Sequence, residues 1–220
     1  MGNVRKLVAR LNPASIRYGA GRGGIPELTP QDIAGALGMV REGLGREIFC
    51  HLWWPDGAKL TQAQLFEYLV RAQFEEWNRR ADILRAAQIA HYLADDQARA
   101  KAQLQAAKEQ MWPGIAGHTV YHMIRLAVVL ELSAPNLCEV CGGRGEVLRG
   151  SLTIPCGECH GEGRRGRSDR QRAAMIHRDE ANYRRTWRGP YEYLYRHCKD
   201  AEDKAVHQLE SALGMSKEAA

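Results

Sequence analysis

Four cysteines occur as two CxxC pairs in one short stretch of the sequence, CEVCGGRGEVLRGSLTIPCGECHGEG. Fourteen residues separate the pairs, one fewer than the usual range for a four-cysteine zinc site. Each CxxC turn can direct two thiolates at one ion, and four protein ligands leave no open position at which water could react. The spacing therefore predicts one structural Zn²⁺ ion, with the ligands Cys138, Cys141, Cys156 and Cys159.

Other interpretations of this stretch stay open. The cysteines could be unrelated reduced thiols, although the doubled spacing disfavours this. Residues 156–160 also match the CxxCH pattern of c-type haem attachment, but a haem would leave the first pair unexplained, and the sequence shows no export signal. His160 could replace one cysteine as a ligand, and a surface position is favoured for it.

A β-hairpin is expected between the two cysteine pairs. Apolar residues flank an Arg-Gly-Ser turn, which predicts two short strands over Glu146 to Pro155. Glycines next to the pairs supply the positive φ angles that such tight turns need. We therefore expect a loop-rich metal insertion in the chain.

A strongly basic segment follows the second cysteine pair. Between residues 164 and 188 there are nine arginines and three acidic residues, whereas the whole chain has a net charge of +5, so the remainder is close to neutral. Positive charge concentrated in this way is typical of a nucleic-acid contact. The predicted DNA-binding residues are Arg164, Arg165, Arg167, Arg170, Arg172, Arg178, Arg184, Arg185 and Arg188.

The same segment predicts a helix-turn-helix. Ser168 is a suitable N-cap for a first helix, a turn is expected over residues 177–180, and a second helix should begin near residue 181 or 182. In such a unit the second helix presents its N-terminal side chains to the major groove, where arginine can bind guanine through two hydrogen bonds. The alternative is a solvated helix pair joined by salt bridges. Gly189-Pro190 is expected to end or kink the second helix.

Helical periodicity dominates the rest of the chain. Thr29-Pro30 predicts the start of a helix that runs to about Cys50, another helix begins at Thr61, and an apolar helix spans residues 116–132. Residues 82–112 continue in helix-forming composition, as an exposed helix or a hairpin arm. We therefore predict a mainly α fold: a helical bundle-like body with an inserted four-cysteine zinc hairpin and a helix-turn-helix.

Four regions are expected along the chain. Residues 1–28, rich in glycine and arginine, predict a flexible basic arm, and residues 29–137 predict the helical body. Residues 138–163 are the zinc-binding hairpin. Residues 164–220 contain the helix-turn-helix and a C-terminal helix that packs on the body.

Little in the sequence suggests catalysis. His118 and His122 have the i, i+4 spacing of a helical metal pair, but no acidic residue completes an HExxH pattern, and positions at the edge of the core are favoured. Cys50 and Cys198 lie on apolar helix faces and are expected to be buried. Since the sequence contains neither a phosphate-binding loop nor a GxSxG motif, we expect that the protein is not an enzyme.

Membrane insertion is not expected either. The longest apolar stretch, near Leu126 to Leu132, is too short to cross a bilayer. The N-terminus has no basic flank followed by an apolar run, which favours a cytoplasmic protein. Six cysteines in such a compartment favour metal binding over disulfides.

The chain resembles the lambda-type phage late-gene antitermination proteins, the Q family. DIAGALGMVREGLGREIFC is similar to the family's Gly-Met-containing helix that ends in Phe-Cys. CEVCGGRGE and CGECHGEGRRGRSDRQRA resemble its two zinc knuckles and the helix that follows them, and TWRGPYEYLYRHC is similar to its C-terminal helix. The order of knuckles and helices carries the resemblance, because DnaJ-type chaperones share the knuckles alone.

This resemblance implies a transcription antitermination factor. Such a protein binds a double-stranded DNA element of a phage late promoter and engages paused, sigma-containing host RNA polymerase near its RNA exit channel. It then travels with the polymerase through the terminators of late genes. The resemblance also implies a cytoplasmic location in the bacterial host, at the nucleoid. Two alternatives stay open: a phage repressor or activator that does not travel with polymerase, and a DnaJ-like zinc module that binds proteins.

Overall fold

Helices dominate the structure, a computed structural model that describes residues 4–9, 30–114, 118–133, 138–141, 145–149 and 152–214. The helices are α1 (Val4–Ala9), α2 (Pro30–Met39), α3 (Leu44–Trp53), α4 (Gln62–Leu93), α5 (Gln97–Gln110), α6 (His118–Ser133), α7 (Asp169–Met175), α8 (Glu180–Asn182) and α9 (Arg188–Ala212). A two-stranded antiparallel sheet contains β1 (Glu146–Arg149) and β2 (Leu152–Pro155). The predicted mainly α fold with an inserted four-cysteine hairpin is confirmed. None of the described helices is both long enough and apolar enough to cross a membrane.

The chain forms two compact units. The first contains Met1–Gln62, Val129–Arg167 and Arg196–Ala220, and the second contains Ala63–Val128 and Ser168–Tyr195. Both cysteine pairs lie in the first unit. The nine predicted DNA-binding arginines are divided, three in the first unit and six in the second.

Residues 4–9 of the predicted basic arm form α1. Val4 and Val8, one helical turn apart, are fully buried. Arg5 forms ion pairs with two residues of α9, with Glu202 at 3.1 Å and with Asp203 at 2.5 Å. Apolar and charged contacts therefore both attach α1 to the first unit. The rest of the predicted arm lies outside the described residues.

The single helix predicted from Pro30 to about Cys50 is two helices, and the prediction was wrong at residues 40–43. Gly43, just before α3, has φ of 145°, a conformation that favours glycine. Gly45 lies against α9, where an added Cβ would collide with the backbone carbonyl of Ala201. One glycine thus breaks the helix and another allows a close approach between two helices.

Only the first half of α4 contains buried side chains. Its apolar residues recur at helical spacing and are buried at Leu65, Leu69 and Ala72. Beyond Glu76, no described side chain of α4 is buried, and α5 buries only two alanines. The carboxylate of Asp96 begins α5 by accepting the N–H of Arg99 at 3.1 Å. Residues 82–110 are therefore the end of α4 and the whole of α5, joined by a short turn, with mostly exposed side chains.

Aromatic rings fill much of the interior of the second unit. Trp112 packs against Tyr121 and Tyr193, and Tyr121 packs edge-on against Trp187 with 5.4 Å between ring centroids. The Arg80 guanidinium lies over the Trp112 ring at 4.8 Å. Because Trp187 belongs to the segment between α8 and α9, these rings hold the basic segment against α6.

Helical structure continues through Gly189-Pro190, where the sequence predicted an end or a kink. Residues 183–187 form a π turn, in which the N–H of Arg188 donates to the carbonyl of Tyr183. α9 begins at Arg188, so Pro190 falls in its first turn. Proline has no N–H to donate, so it fits where the helical hydrogen-bond pattern changes, as it does between the π turn and α9. The π turn before α9 thus accommodates the proline.

Candidate metal centre and basic surface

The four paired cysteines converge on one point. Their Sγ atoms all lie within 4.8 Å of one another, and the separations Cys138–Cys156 and Cys141–Cys159 are each 3.8 Å. A tetrahedral ion with metal–sulfur bonds of about 2.3 Å requires sulfurs about 3.8 Å apart, whereas a disulfide requires about 2.05 Å. All four residues are buried thiols. The cluster therefore has the dimensions of a closed metal site, and the predicted grouping of these cysteines is confirmed.

The two cysteine pairs share one pattern of backbone hydrogen bonds. Gly145 and Gly163 each follow a pair by four residues and donate their N–H to its second Sγ at 3.2 Å. The carbonyl of each glycine accepts an N–H from the other cysteine pair. Gly163 accepts from Cys138 at 2.9 Å, and Gly145 accepts from Cys156 at 2.8 Å. Both glycines have positive φ, 73° and 76°. Each knuckle thus holds the other in place.

Two of the thiols have shifted pKa values. The backbone N–H of Cys141 lowers the pKa of Cys138 to about 7, whereas burial raises the pKa of Cys159 to about 11. A metal needs its cysteine ligands as thiolates, so metal binding releases protons. Metal affinity at this site is therefore expected to fall as the pH falls.

The strands between the pairs form the predicted hairpin. β1 and β2 pair from Glu146 opposite Pro155 to Arg149 opposite Leu152. Val147 packs against the cysteine cluster, whereas Leu148 and Leu152 are exposed. His160 is exposed and lies outside the group of four converging ligands.

Arg164 connects the cysteine cluster with α3. Its guanidinium lies over the Trp53 ring at 4.4 Å and donates to the carbonyl of Leu52 at 2.5 Å. These contacts lie inside the first unit, and the side chain is only partly exposed. One Nη and the planar face of Arg164 thus contact the first unit, and its predicted contact with DNA stays a prediction.

A buried carboxylate, that of Glu202, contacts the same tryptophan, Trp53. Glu202 is fully buried and accepts the indole N–H of Trp53 at 3.1 Å. It forms ion pairs with Lys199 and Arg5. Burial opposes ionisation of Glu202, but Lys199, Arg5 and the indole outweigh it and hold its pKa below the usual value. Trp53 is thus stacked by a cation on its face and hydrogen-bonded to an anion at its edge.

Arg172 is the second predicted DNA-binding residue held in the interior. Only 7% of it is exposed, and it forms an ion pair with Glu192 at 2.6 Å. Its guanidinium also lies over the rings of Tyr191 and Tyr195, at 5.0 and 4.9 Å. A side chain that is buried and paired in this way is poorly placed to donate to a nucleic acid, and its predicted contact with DNA stays a prediction. Below, the interior arginines are Arg164 and Arg172.

Both helices of the predicted helix-turn-helix have capped starts. Ser168 accepts the N–H of Gln171, and the Gln171 side chain accepts the N–H of Ser168, which forms a capping box. Asp179 caps α8 by accepting the N–H of Asn182 at 2.8 Å. The turn between the helices includes His177 with φ of 53°. A helix, a turn and a second helical segment are therefore present, whereas their role in DNA binding stays a prediction.

Two arginines near the start of this segment and one in the turn between α7 and α8 have mixed environments. Arg165 is exposed and pairs with Glu158. Arg178 is exposed and donates to the carbonyl of its neighbour His177 at 3.0 Å. The backbone N–H of Arg167 donates to Glu131, and its side chain is partly exposed.

Four arginines remain exposed on the helical part of the segment. Arg184 and Arg188 approach one carboxylate oxygen of Asp169, at 3.1 and 3.9 Å, and Arg184 also pairs with Glu180 at 2.5 Å. The other two form no ion pair with any residue that the structure describes. Below, the surface arginines are Arg170, Arg184, Arg185 and Arg188.

The other cysteines and the histidine pair contribute no second metal group among the described residues. Cys50 and Cys198 are buried as predicted, and burial raises their pKa values to about 11 and about 12, which keeps both as neutral thiols. His122 is exposed, with its ring 5.0 Å from that of Phe66. The side chain of His118 lies outside the described part of the chain.

The chain was compared with known proteins. No protein-family model and no curated protein matches the chain. The resemblance to the Q family stays a prediction that rests on the cysteine pairs, the flanking helices and their order.

Proposed function

We propose that this protein is a phage transcription antitermination factor. It binds double-stranded DNA at a late promoter, loads onto paused host RNA polymerase that still holds sigma, and makes the polymerase transcribe through terminators. The observation that carries the proposal is a closed four-thiol cluster followed along the chain by two capped helices, a π turn and the start of α9. Four arginines are exposed on this helical segment. The order of these elements is that of the Q family, which the chain resembles.

The ion at the cysteine cluster is proposed to be Zn²⁺. Four thiolates at tetrahedral distances suit zinc, and a site closed by protein ligands stabilises a fold without taking part in a reaction. Bound zinc would hold the two knuckles together, while residues 138–163 supply every ligand. Metal analysis of protein purified without added metal should return one zinc per chain, and its absence would overturn this assignment.

The surface arginines are proposed as the DNA contact. Arg185 and Arg170 are exposed and form no ion pair with a described residue, so phosphate contact does not require them to leave a partner. Each lost phosphate contact should reduce the slope of log affinity against log salt by about 0.9. Arg185→Ala should show this loss, and Arg85→Ala serves as control, because Arg85 is exposed and paired with Asp82 outside the basic segment.

Transcription in vitro tests the proposal as a whole. Host polymerase initiates at the cognate late promoter upstream of an intrinsic terminator, with and without the protein. We expect read-through of the terminator that depends on the protein and disappears when the promoter is exchanged. Read-through should fall in the double variant Arg184→Ala Arg185→Ala and should not fall in Arg85→Ala. Unchanged termination together with intact DNA binding would instead favour a phage regulator that does not travel with polymerase.

A further inference from the structure

One carboxylate, that of Asp169, approaches two of the surface arginines. Asp169 is the first residue of α7, and its side chain is 19% exposed. One of its oxygens is 3.1 Å from Nε of Arg184 and 3.9 Å from an Nη atom of Arg188. An acidic group at this place opposes binding to the phosphate backbone, so a surface selected only for general DNA affinity would not contain it.

The position of Asp169 is fixed by its surroundings. The capping box of Ser168 and Gln171 defines the start of α7. Arg172, three residues further on, holds the same helix through its ion pair with Glu192 and its contacts with two tyrosine rings. Asp169 is therefore attached to a helix whose cap and interior contacts leave it little freedom.

The contact with Asp169 leaves the outer edge of Arg184 available. The carboxylate binds at Nε, on the side of the guanidinium. Glu180 engages one Nη at 2.5 Å. No described residue pairs with the other Nη, and the two Nη groups form the outer edge of a guanidinium, the edge that can bind guanine O6 and N7. With 59% of its side chain exposed, Arg184 meets solvent while its orientation is restricted.

We propose that Asp169 is a specificity-determining residue, which positions Arg184, and through the longer contact Arg188, for hydrogen bonds to base edges in double-stranded DNA. This inference rests on the proposed DNA-binding function. Fixing the guanidinium before binding removes the entropy cost of ordering a long side chain at the correct base pair. The negative charge also weakens contacts with phosphates at incorrect sites. Arg170 and Arg185, which no described carboxylate pairs with, supply the contacts that do not depend on sequence.

The test compares two DNA duplexes. One is selected by the wild-type protein from a randomised pool, and the other is a scrambled duplex of the same composition. Asp169→Asn should bind the scrambled duplex at least as tightly as wild type, while the ratio of the two affinities falls about tenfold, the discrimination of one bidentate contact. Glu180→Gln is the matched control, because it also removes one acidic partner of Arg184 but leaves the contact at Nε.

A second variant separates positioning from simple support of the fold. Arg184→Lys keeps the charge but has neither Nε nor the planar fork, so it should lose the same discrimination. The double variant combines Asp169→Asn with Arg184→Lys. If Asp169 acts through Arg184, its ratio of the two duplex affinities should equal that of either single variant rather than fall by the product of two losses. A purely structural role would instead lower both affinities equally and lower the unfolding midpoint.

Failure of the inference and failure of the proposed function give different results. Wild-type protein that prefers one duplex, together with Asp169→Asn that keeps the full preference, overturns only the role of Asp169. A pool that yields no preferred duplex for wild-type protein overturns sequence-specific DNA binding and the inference with it.

Discussion

The interior arginines and the surface arginines belong to one short basic segment, yet they are used in opposite ways. Arg164 lies over a tryptophan ring and Arg172 over two tyrosine rings, and both have protein acceptors for their donors. The surface arginines are exposed, and two of them pair with Asp169 or Glu180. Charge density along the sequence therefore overstates the charge available to a nucleic acid.

Arginines that are close together in the sequence make the difference between interior and surface positions measurable. Arg164 is followed directly by exposed Arg165, and Arg172 lies two residues from exposed Arg170 in the same helix. Each pair compares an arginine that stabilises the fold with one that can contact a ligand. Substitutions at the first kind should change the free energy of unfolding, and those at the second kind should change DNA affinity.

The largest effect is expected at the metal centre, on which the position of Arg164 depends. Cys141→Ser removes one of four ligands, and zinc sites of this kind contribute on the order of 10 kcal/mol to folding at neutral pH. Metal content and urea unfolding with and without a chelator measure the loss. Cys198→Ala should retain the metal, since it is buried away from the cluster. Equal metal content in both variants would contradict the assigned ligands.

The next effect is expected at Glu202, the buried anion beside the ring on which Arg164 stacks. Glu202→Gln removes the buried carboxylate that pairs with Lys199 and Arg5 and should cost about 3 kcal/mol at pH 7. Because the folded-state pKa of Glu202 is lowered, this stabilisation is present above the unfolded-state pKa of about 4.3 and is lost as the pH falls through the folded-state value. Denaturant unfolding of both proteins at matched pH measures the difference. A difference that does not shrink in acid would contradict the ion pairs.

Arg172→Ala should destabilise the second unit by about 2 kcal/mol, because it removes a buried ion pair and two contacts with tyrosine rings. Arg170→Ala, in the same helix, should change stability by less than about 0.5 kcal/mol. Thermal unfolding of the two variants gives the comparison directly. Similar losses at both positions would mean that burial does not separate the two kinds of arginine.

The smallest stability effect is expected at Arg164. Arg164→Ala should cost about 1–2 kcal/mol through the lost stacking on Trp53 and the lost hydrogen bond to Leu52. Arg165→Ala should change stability by less than about 0.5 kcal/mol, because its ion pair with Glu158 is exposed. Unfolding in urea with the metal site saturated measures both. If Arg165→Ala costs as much as Arg164→Ala, the division into interior and surface roles fails at this end of the segment.

Local chemistry was sufficient to predict several elements from the sequence. The cysteine spacing predicted the four-thiol group, apolar residues on both sides of an Arg-Gly-Ser turn predicted the hairpin, and Ser168 predicted the start of α7. Each depends on residues close together in the sequence, whose geometry follows from backbone turns and capping. The periodic spacing of apolar residues likewise predicted the burial of Cys50 and Cys198.

Only the tertiary structure decided which arginines face solvent and how the helices continue. Arg164 and Arg165 are adjacent and chemically identical, and only the position of Trp53, more than a hundred residues earlier, separates their roles. The helical segment continues through Pro190 after a π turn, and a glycine is needed at position 45 because α9 approaches closely there. Such outcomes are set by contacts between distant residues, and local propensity contains no information about them. The sequence by itself determined the four-cysteine group and the local elements, whereas the packing around them determined which charges remain exposed.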